Sequence, residues 1–370
     1  MSQAAAVKVR TPAFLETLIH RFDPEVMDLS GEKARIRLVV EDQWIWDLLV
    51  RDGQVLASPW EGTPWDAELI ADGATWQEIT EDPRVGLEAF QTNRLVIRRN
   101  MHVGIGFLAA TSGIAETERL GFTTVQTPVG GISTASMGEG EAVICLHGLG
   151  ATKASFMPTL AALSGERRVI GMDFPGFGDS VKPLGAPYDA EWFAESVVGM
   201  MDALDIESAH LIGNSMGGRV AIETGLLYPE RVRGMTLLAP ALAWLRDRRY
   251  RWLLQRPLPL LGLFQPAPRV IAEPIVRGLV PGGKDGWTAA GVDEFLRSFL
   301  TPRGRVAFYE SARNIYLDEP HGEQGLWARL RGLKPPALFV WGRQDTLVPV
   351  GFKKHVEQAL PSARHLVLQC

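Results

Sequence analysis

A serine stands in the middle of the glycine-rich run at residues 213–218, which reads Gly-Asn-Ser-Met-Gly-Gly. The apolar residues at 209–212 predict a strand just before it, and the residues after it predict a helix. A side chain at such a sharp turn needs nearly bare neighbours, which Gly213 and Gly217 supply. The helix also points its first backbone N–H groups at the turn, which favours developing negative charge. The pattern therefore predicts that Ser215 is a nucleophile.

The elements that must position this serine follow from the pattern after residue 121. Strands and helices alternate there, which is typical of a sheet with helices on both faces. A long insertion, residues 242–333, separates the sixth predicted strand from the seventh. The predicted strands are 122–127, 131–136, 142–146, 168–172, 209–212, 234–238, 337–341 and 365–368, and the predicted helices are 154–163, 190–204, 217–227 and 352–360.

Three further motifs accompany the serine. They are His-Gly-Leu-Gly at 147–150, Asp-Phe-Pro-Gly-Phe-Gly-Asp-Ser at 173–180, and Val-Trp-Gly-Arg-Gln-Asp-Thr-Leu-Val-Pro at 340–349. Together with the serine motif they resemble the α/β-hydrolase family, in which a Ser, an Asp and a His follow one another in that chain order. The resemblance covers residues 116–370 and implies an α/β-hydrolase fold in which the insertion is a mostly helical cap.

The resemblance also implies a role for each motif. The backbone N–H groups of Leu149 and Met216 would form the oxyanion hole, and Asp345 would orient a histidine and stabilise its positive charge. His147, next to Gly148, would order the oxyanion loop rather than act as the base. Asp173 would hold a tight turn near the site. No metal or organic cofactor is needed for this chemistry.

The histidine of this set is not found where the family places it, in a Gly-His segment after the last strand. His355 lies inside a predicted helix, His365 opens a strand at the end far from the expected loop, and His321 lies in the cap. We therefore expect the natural protein to continue past Cys370 into such a segment, and residues 1–370 alone to lack a working triad.

Residues 11–115 show a different pattern, which predicts a smaller α+β domain with a mainly antiparallel sheet and helices on one face. Its opening helix is predicted from Thr11-Pro12 to Met27, with Thr11 as the N-cap. Residues 111–120 are predicted to be a linker. The other predicted elements are strands at 33–40, 43–51, 54–58, 67–72 and 94–99, and helices at 76–79, 83–89 and 103–110.

This first domain resembles the sterol-carrier-protein-2 (SCP2-like) fold. The resemblance rests on the opening helix, the strand pair around Asp52-Gly53, and the runs at 70–76 and 89–97, with Asn93 where the family usually has glycine. It implies an apolar tunnel for a sterol or acyl chain, although some domains of this fold are adaptors. Five tryptophans either fill the core or line such a cavity: Trp44, Trp46, Trp60, Trp65 and Trp76.

Composition excludes several other classes of function. The net charge of −5 gives no basic surface for nucleic acid. The two cysteines, Cys145 and Cys370, cannot form a disulfide framework, and we expect Cys145 to be a buried, inert thiol. No run reaches the roughly 18–20 apolar residues of a transmembrane helix, and residues 1–8 show no secretory signal. We expect a cytoplasmic protein.

These observations lead to one expected function and one alternative. The expected function is hydrolysis of carboxylic esters or related acyl bonds (EC 3.1.1, carboxylesterase or lipase-like) of an apolar substrate, because the cap is apolar. The motif at 213–218 also resembles that of hydrolases that cleave C–C bonds. The alternative is a non-catalytic lipid or sterol carrier or sensor with a degenerate hydrolase module.

In the predicted cap, residues 243–254 predict a helix with a basic face. That face is either solvated or lies at a lipid interface.

Overall fold

The chain folds into two compact units, residues 1–121 with 280–293 and residues 122–279 with 294–370. The second stretch of the first unit comes from the region predicted to be the cap. The computed structural model describes residues 11–27, 29, 33–41, 43–82, 85–114, 120–242, 262–266, 268–279 and 286–369.

The first unit contains a five-stranded sheet with the strand order β3-β2-β1-β4-β5. Strand β1 pairs with β4 in parallel, and the pairs β1–β2, β2–β3 and β4–β5 are antiparallel. The mainly antiparallel sheet is as predicted. The strands are β1 (Lys33–Val40), β2 (Trp44–Arg51), β3 (Gln54–Pro59), β4 (Ala67–Ala71) and β5 (Leu95–Arg98), and the helices include α1 (Ala13–His20), α2 (Gly73–Glu81), α3 (Val85–Gln91) and α4 (Met101–Ala110).

The prediction for α1 was wrong at both ends. The N-cap residue is Pro12, in an extended conformation and without a side-chain hydrogen bond, so Thr11 does not cap the helix. The helix ends at His20 rather than Met27. Pro24 explains the early end, because it has no N–H to donate and disfavours a helical conformation at Asp23. The Asp23 N–H instead donates to the Ala110 carbonyl at 2.8 Å.

The tryptophans of the first unit divide into two groups. Trp46 and Trp76 are buried in the core, and the Trp76 indole N–H donates to the Val39 carbonyl at 3.1 Å. Trp60 and Trp65 both stack on the Arg37 guanidinium, 4.2 and 3.1 Å from their ring centroids. Exposed fractions of 46% and 40% place Trp44 and Trp60 partly in solvent. The core interpretation therefore holds for two of the five.

The second unit is built on an eight-stranded sheet with the order β13-β12-β11-β10-β8-β9-β7-β6. The pairs from β9 through β8, β10, β11 and β12 to β13 are parallel, whereas β7 is antiparallel to β9. The strands are β6 (Gly121–Thr127), β7 (Gly130–Met137), β8 (Ala142–Leu146), β9 (Arg168–Met172), β10 (Ala209–Asn214), β11 (Val232–Leu238), β12 (Ala337–Gly342) and β13 (Arg364–Leu368).

Helices connect these strands as the sequence predicts, and the loops after the parallel strands meet at one edge of the sheet. The predicted helix at 154–163 is divided into a 3-10 turn, Lys153–Phe156, and a helix. The helices of the sheet region are α5 (Met157–Leu163), α6 (Ala190–Ala203), α7 (Met216–Leu227) and α12 (Lys353–Ala359).

The region between β11 and β12 is helical where it is described. Its helices are α8 (Arg269–Leu279), α9 (Gly286–Phe299), α10 (Pro302–Tyr316) and α11 (Leu326–Leu330). The predicted basic helix at 243–254 and half of the predicted linker, residues 115–119, lie outside the described residues. Within the described part of the chain, no helix is both long enough and apolar enough to cross a membrane.

Asn93 provides a test of the first unit. It closes α3 in a left-handed conformation, with φ of 60°. We expect Asn93→Ala to lower the free energy of unfolding by about 1 kcal/mol relative to Asn93→Gly, because a Cβ is unfavourable at this φ. Urea unfolding followed by tryptophan fluorescence measures this difference. Glycine is the matched control because both variants remove the side chain, and equal stability of the two variants would contradict the account.

Candidate active site

Ser215 occupies a strained turn between β10 and α7. Its backbone angles, φ of 51° and ψ of −111°, lie in a region that residues other than glycine rarely adopt. A Cβ on Gly217 would lie 2.0 Å from the Leu146 carbonyl oxygen, and one on Gly213 would lie 2.4 Å from the Gly217 oxygen. The Ser215 N–H donates to the Leu238 carbonyl at 2.9 Å, which fixes the turn to β11. Only glycine fits at 213 and 217.

The loop at 147–150 lies directly against this turn. A Cβ on Gly148 would lie 3.5 Å from the Ser215 Cβ and 3.1 Å from the Asn214 Oδ1. Among the described hydrogen bonds, neither the Leu149 N–H nor the Met216 N–H has an acceptor. Both N–H groups thus lack an acceptor among the described residues, as the donors of an oxyanion hole must before a substrate binds.

His147 is fixed by hydrogen bonds to the backbone on both sides of its ring. The Phe174 N–H donates to Nε2 at 3.0 Å, so Nδ1 carries the proton and donates to the Gly148 carbonyl at 2.7 Å. Burial lowers the pKa of this imidazole, against the opposing effect of the Asp173 carboxylate. Both nitrogens are therefore engaged in ordering the loop.

Asp173 lies at the centre of a buried ion-pair cluster. It accepts hydrogen bonds from the backbone N–H and the ammonium of Lys153, both at 2.7 Å, and from the Asp179 N–H at 2.9 Å. Burial raises the pKa of Asp173, but the Lys153 charge, the hydrogen bond from Lys153 and the effect of His147 together hold the pKa below its usual value. Arg297 of α9 donates to the Asp179 carboxylate at 2.6 Å. The cluster anchors α9 to the turn at 173–180.

A second buried ion-pair cluster lies on α7, one turn after the serine. Arg219 is fully buried and pairs with Glu223 on the same helix and with Asp318, at 2.7 Å, in the segment after α10. Arg329 of α11 pairs with the same two carboxylates. This cluster joins α7 to the end of α10.

Asp345 lies in the loop after β12. One of its oxygens, Oδ1, accepts from the N–H groups of Leu347 and Val348 at 2.8 Å each. Its other oxygen accepts no hydrogen bond from a described residue. Because β10 and β12 flank β11, Ser215 and Asp345 follow strands that lie two spacings, or about 10 Å, apart, and both lie at the same sheet edge.

Of the three histidines considered as bases from the sequence, two make contacts elsewhere and one is exposed. His365 accepts from the Trp341 indole N–H at 3.1 Å, His355 stacks on Trp327, and His321 is exposed. Among the described residues, no histidine ring hydrogen-bonds to Ser215. The partner of its hydroxyl is the Tyr316 hydroxyl, at 3.3 Å.

The carboxyl end of β13 lies at the edge that holds Ser215 and Asp345. Leu368 pairs with Gly342 at the end of β12, and the Leu368 carbonyl accepts from the Arg343 N–H at 2.9 Å. β13 therefore ends beside the Asp345 loop.

Sequence reasoning missed three of the residues that shape this site: Lys153, Arg219 and Tyr316. A lysine in the otherwise uncharged stretch 151–163 could have indicated a buried partner for Asp173. The spacing of Arg219 and Glu223 favours an ion pair on one helix face. Nothing in the sequence indicates that Tyr316 reaches the serine. No cluster of metal-ligating side chains occurs among the described residues.

Comparison with known proteins gives the family and several relatives. The family model described as the alpha/beta hydrolase fold matches residues 141–370. A pimeloyl-[acyl-carrier protein] methyl ester esterase of Aeromonas hydrophila is 30% identical over 240 residues, 64% of this chain and 90% of the esterase. A 2-hydroxy-6-oxo-6-phenylhexa-2,4-dienoate hydrolase of Burkholderia cepacia is 32% identical over 251 residues, 63% of this chain and 82% of the hydrolase.

A third relative is longer than the region that matches. The dihydrolipoyllysine-residue acetyltransferase component of an acetoin cleaving system of Pseudomonas putida is 31% identical over 235 residues, 62% of this chain but 59% of that protein. Among solved structures, a putative alpha/beta hydrolase from Nostoc sp. PCC 7120 superposes with a TM-score of 0.57 at 23% identity, over 68% of this chain and 91% of that one. At this identity the structure supports the fold alone.

The Lys153–Asp173 pair yields a stability prediction. Lys153→Met leaves the Asp173 carboxylate buried without its cation, so we expect the free energy of unfolding to fall by about 3–5 kcal/mol. Lys354→Met, at an exposed position on α12, is the matched control and should change it little. Urea unfolding of both variants measures the effect, and a loss no larger than that of the control would disprove the role of the pair.

His147 yields a pH prediction. Its folded pKa lies below the unfolded value of 6.5, so its contribution to stability is present above pH 6.5 and is lost as the pH falls through the folded pKa. We expect the imidazole C2–H resonance, assigned with His147→Asn, to titrate below pH 6.5. Titration at or above that pH would show that the ring is not held neutral by burial.

Proposed function

Because the chain belongs to the α/β-hydrolase fold family, we propose that it is a serine hydrolase acting on carboxylic ester or related acyl bonds of an apolar substrate. The observation that carries the proposal is the strained Ser215 turn with the loop at 147–150 packed against it, where the Leu149 and Met216 N–H groups have no acceptor among the described residues. A nucleophile beside paired donors can form and stabilise a tetrahedral intermediate.

In this mechanism the Ser215 oxygen attacks the acyl carbon, and the carbonyl electrons move to the carbonyl oxygen. The Leu149 and Met216 N–H groups stabilise the resulting oxyanion, an effect of several kcal/mol. In a mechanism of this kind the proton acceptor is a histidine. Asp345 orients it through the carboxylate oxygen that is not used by the backbone. The same histidine returns the proton to the leaving group.

The walls of the site favour an apolar acyl group. A Cβ on Gly150 would lie 2.4 Å from the Phe295 ring and 3.4 Å from the Phe308 ring. Phe299 completes this aromatic cluster, with ring centroids 5.1 to 5.4 Å apart. The cluster backs the oxyanion loop with hydrocarbon, which suits an alkyl or ring substituent better than a sugar or phosphate.

The two relatives whose names state a substrate suggest two candidate reactions. One is an ester hydrolase and the other a hydrolase of a 2-hydroxy-6-oxo-dienoate. Esters are our leading class, since the Ser215 site requires only an acyl group and a leaving oxygen. Cleavage of a C–C bond in a related acyl compound is the second candidate.

For the first unit we propose an SCP2-like role in binding a sterol or acyl ligand. The single parallel pair β1–β4 inside a mainly antiparallel sheet, and the partly exposed Trp44 and Trp60, support it. Trp46 and Trp76 are core residues and do not. The unit would hold or present an apolar substrate, and a cytoplasmic location remains a prediction from the sequence.

Covalent labelling tests the proposed nucleophile. We expect a fluorophosphonate probe to label the full-length gene product, including any coding sequence after Cys370, and Ser215→Ala to abolish labelling. Asp345→Asn should lower the ester hydrolysis rate by on the order of 10³–10⁴-fold because the histidine loses its orientation.

The exposed Ser362→Ala is the matched control and should label like the wild type. Labelling that survives in Ser215→Ala would place the nucleophile elsewhere. A wild-type protein that neither labels nor hydrolyses esters would favour the non-catalytic carrier or sensor.

A further inference from the structure

A tyrosine from the cap region reaches the proposed nucleophile. Tyr316 is the last residue of α10, and its hydroxyl lies 3.3 Å from the Ser215 Oγ. Only 5% of the tyrosine is exposed. Its ring packs within the core of the second unit, so the hydroxyl is the part of the side chain that meets the reacting atoms.

The chemical state of this hydroxyl limits what it can do. Burial raises the pKa of Tyr316 to about 12, and the hydrogen bond with Ser215 only partly offsets that effect. The phenol therefore keeps its proton near neutral pH and cannot take one from Ser215. Once the serine donates its own proton to a base, Tyr316 is the donor and Ser215 Oγ the acceptor.

The position of the tyrosine is fixed by the ion-pair cluster on α7. Asp318, two residues after Tyr316, accepts from the fully buried Arg219 guanidinium at 2.7 Å. Arg219 lies one turn after Ser215 on the same helix, and its backbone N–H donates to the Ser215 carbonyl at 3.1 Å. One arginine thus links the Ser215 turn to the end of α10. The 3.3 Å contact between the Ser215 and Tyr316 hydroxyls is therefore held in place without a bound substrate.

We propose that Tyr316 is a catalytic residue that donates a hydrogen bond to the leaving-group oxygen of an ester substrate, an inference that rests on the proposed serine hydrolase function. In the tetrahedral intermediate the acyl carbon carries the Ser215 oxygen, the oxyanion and the leaving-group oxygen. The leaving oxygen is bonded to the same carbon as the Ser215 oxygen, so we place it next to the Tyr316 hydroxyl that already contacts Oγ. The Leu149 and Met216 N–H groups already serve the oxyanion.

The step conserves atoms and charge without any transfer from Tyr316. The bond between the acyl carbon and the leaving oxygen breaks, and its electron pair stays on that oxygen. The protonated base supplies the proton that makes the free alcohol, and the oxyanion electrons re-form the carbonyl of the acyl-enzyme. Tyr316 stabilises the negative charge on the leaving oxygen before the proton arrives and keeps its own proton throughout.

This role predicts a dependence on the leaving group. An alkyl alkoxide carries much charge as it leaves and needs the donor, whereas p-nitrophenoxide is stable by itself. We expect Tyr316→Phe to lower kcat/KM for an ethyl ester by about 10- to 100-fold, the effect of one hydrogen bond to a charged oxygen. For the p-nitrophenyl ester of the same acid the loss should stay below about 3-fold.

The experiment uses the full-length gene product and a matched tyrosine. Tyr309 lies on the same helix, and its hydroxyl donates to the exposed Gln265 at 3.0 Å, so Tyr309→Phe should leave both esters unaffected. Fluorophosphonate labelling of Tyr316→Phe should proceed near the wild-type rate, because fluoride is a good leaving group. Equal losses on both esters, or no loss on either, would overturn the inference while leaving the proposed function intact.

A second variant covers the case in which Tyr316→Phe fails to fold. Asp318→Asn weakens the ion pair with Arg219 and loosens the tyrosine without altering it, so Asp318 acts as a positioning residue. We expect the same selective loss on the ethyl ester, smaller than that of Tyr316→Phe. A merely structural effect would reduce both esters alike and would overturn the inference. A wild-type protein inert to the probe and to both esters would instead remove the proposed function.

Discussion

The carbonyl oxygen at the end of β8 lies so close to the start of α7 that no side chain fits between them. A methyl group at Gly217 would sit 2.0 Å from the Leu146 oxygen. The close approach of β8 and α7 brings the loop at 147–150 against the turn that holds Ser215. The backbone strain at Ser215, of order 1–3 kcal/mol, persists because the turn is held on both sides. The Leu238 carbonyl accepts its N–H, and its own carbonyl accepts from Ala241.

Two buried ion-pair clusters flank this contact. One is centred on Asp173 and Lys153 and fixes the turn at 173–180 to α9. The other is centred on Arg219 and fixes α7 to the end of α10. Buried ion pairs give little net stability over apolar contacts, but removal of one partner is costly, so such clusters hold elements in one arrangement. Here they join α9 and the end of α10 to the edge of the sheet where the chemistry is proposed.

The sequence predicts the parts of this site that depend on local pattern. Strand periods, the glycines of the turn and the motifs at 147–150 and 340–349 are all short-range signals, and the strands of both sheets lie within a few residues of their predicted positions. The contact between Ser215 and Tyr316 joins residues 101 positions apart, and that between Arg219 and Asp318 joins residues 99 apart. Such pairs depend on how the region between β11 and β12 packs against the sheet, and no local sequence pattern encodes that packing. The prediction for α1 extends too far because it rests on apolar periodicity alone and does not take Pro24 into account.

The central claim is that Ser215 attacks a carbonyl whose oxygen is then held by Leu149 and Met216. A crystal structure of the full-length protein after reaction with a phosphonate ester tests it most directly. The account predicts phosphorus bonded to the Ser215 Oγ, with one phosphonyl oxygen about 2.7–3.1 Å from both backbone nitrogens. A phosphonyl oxygen turned away from those two N–H groups, or an adduct on a different residue, would contradict it.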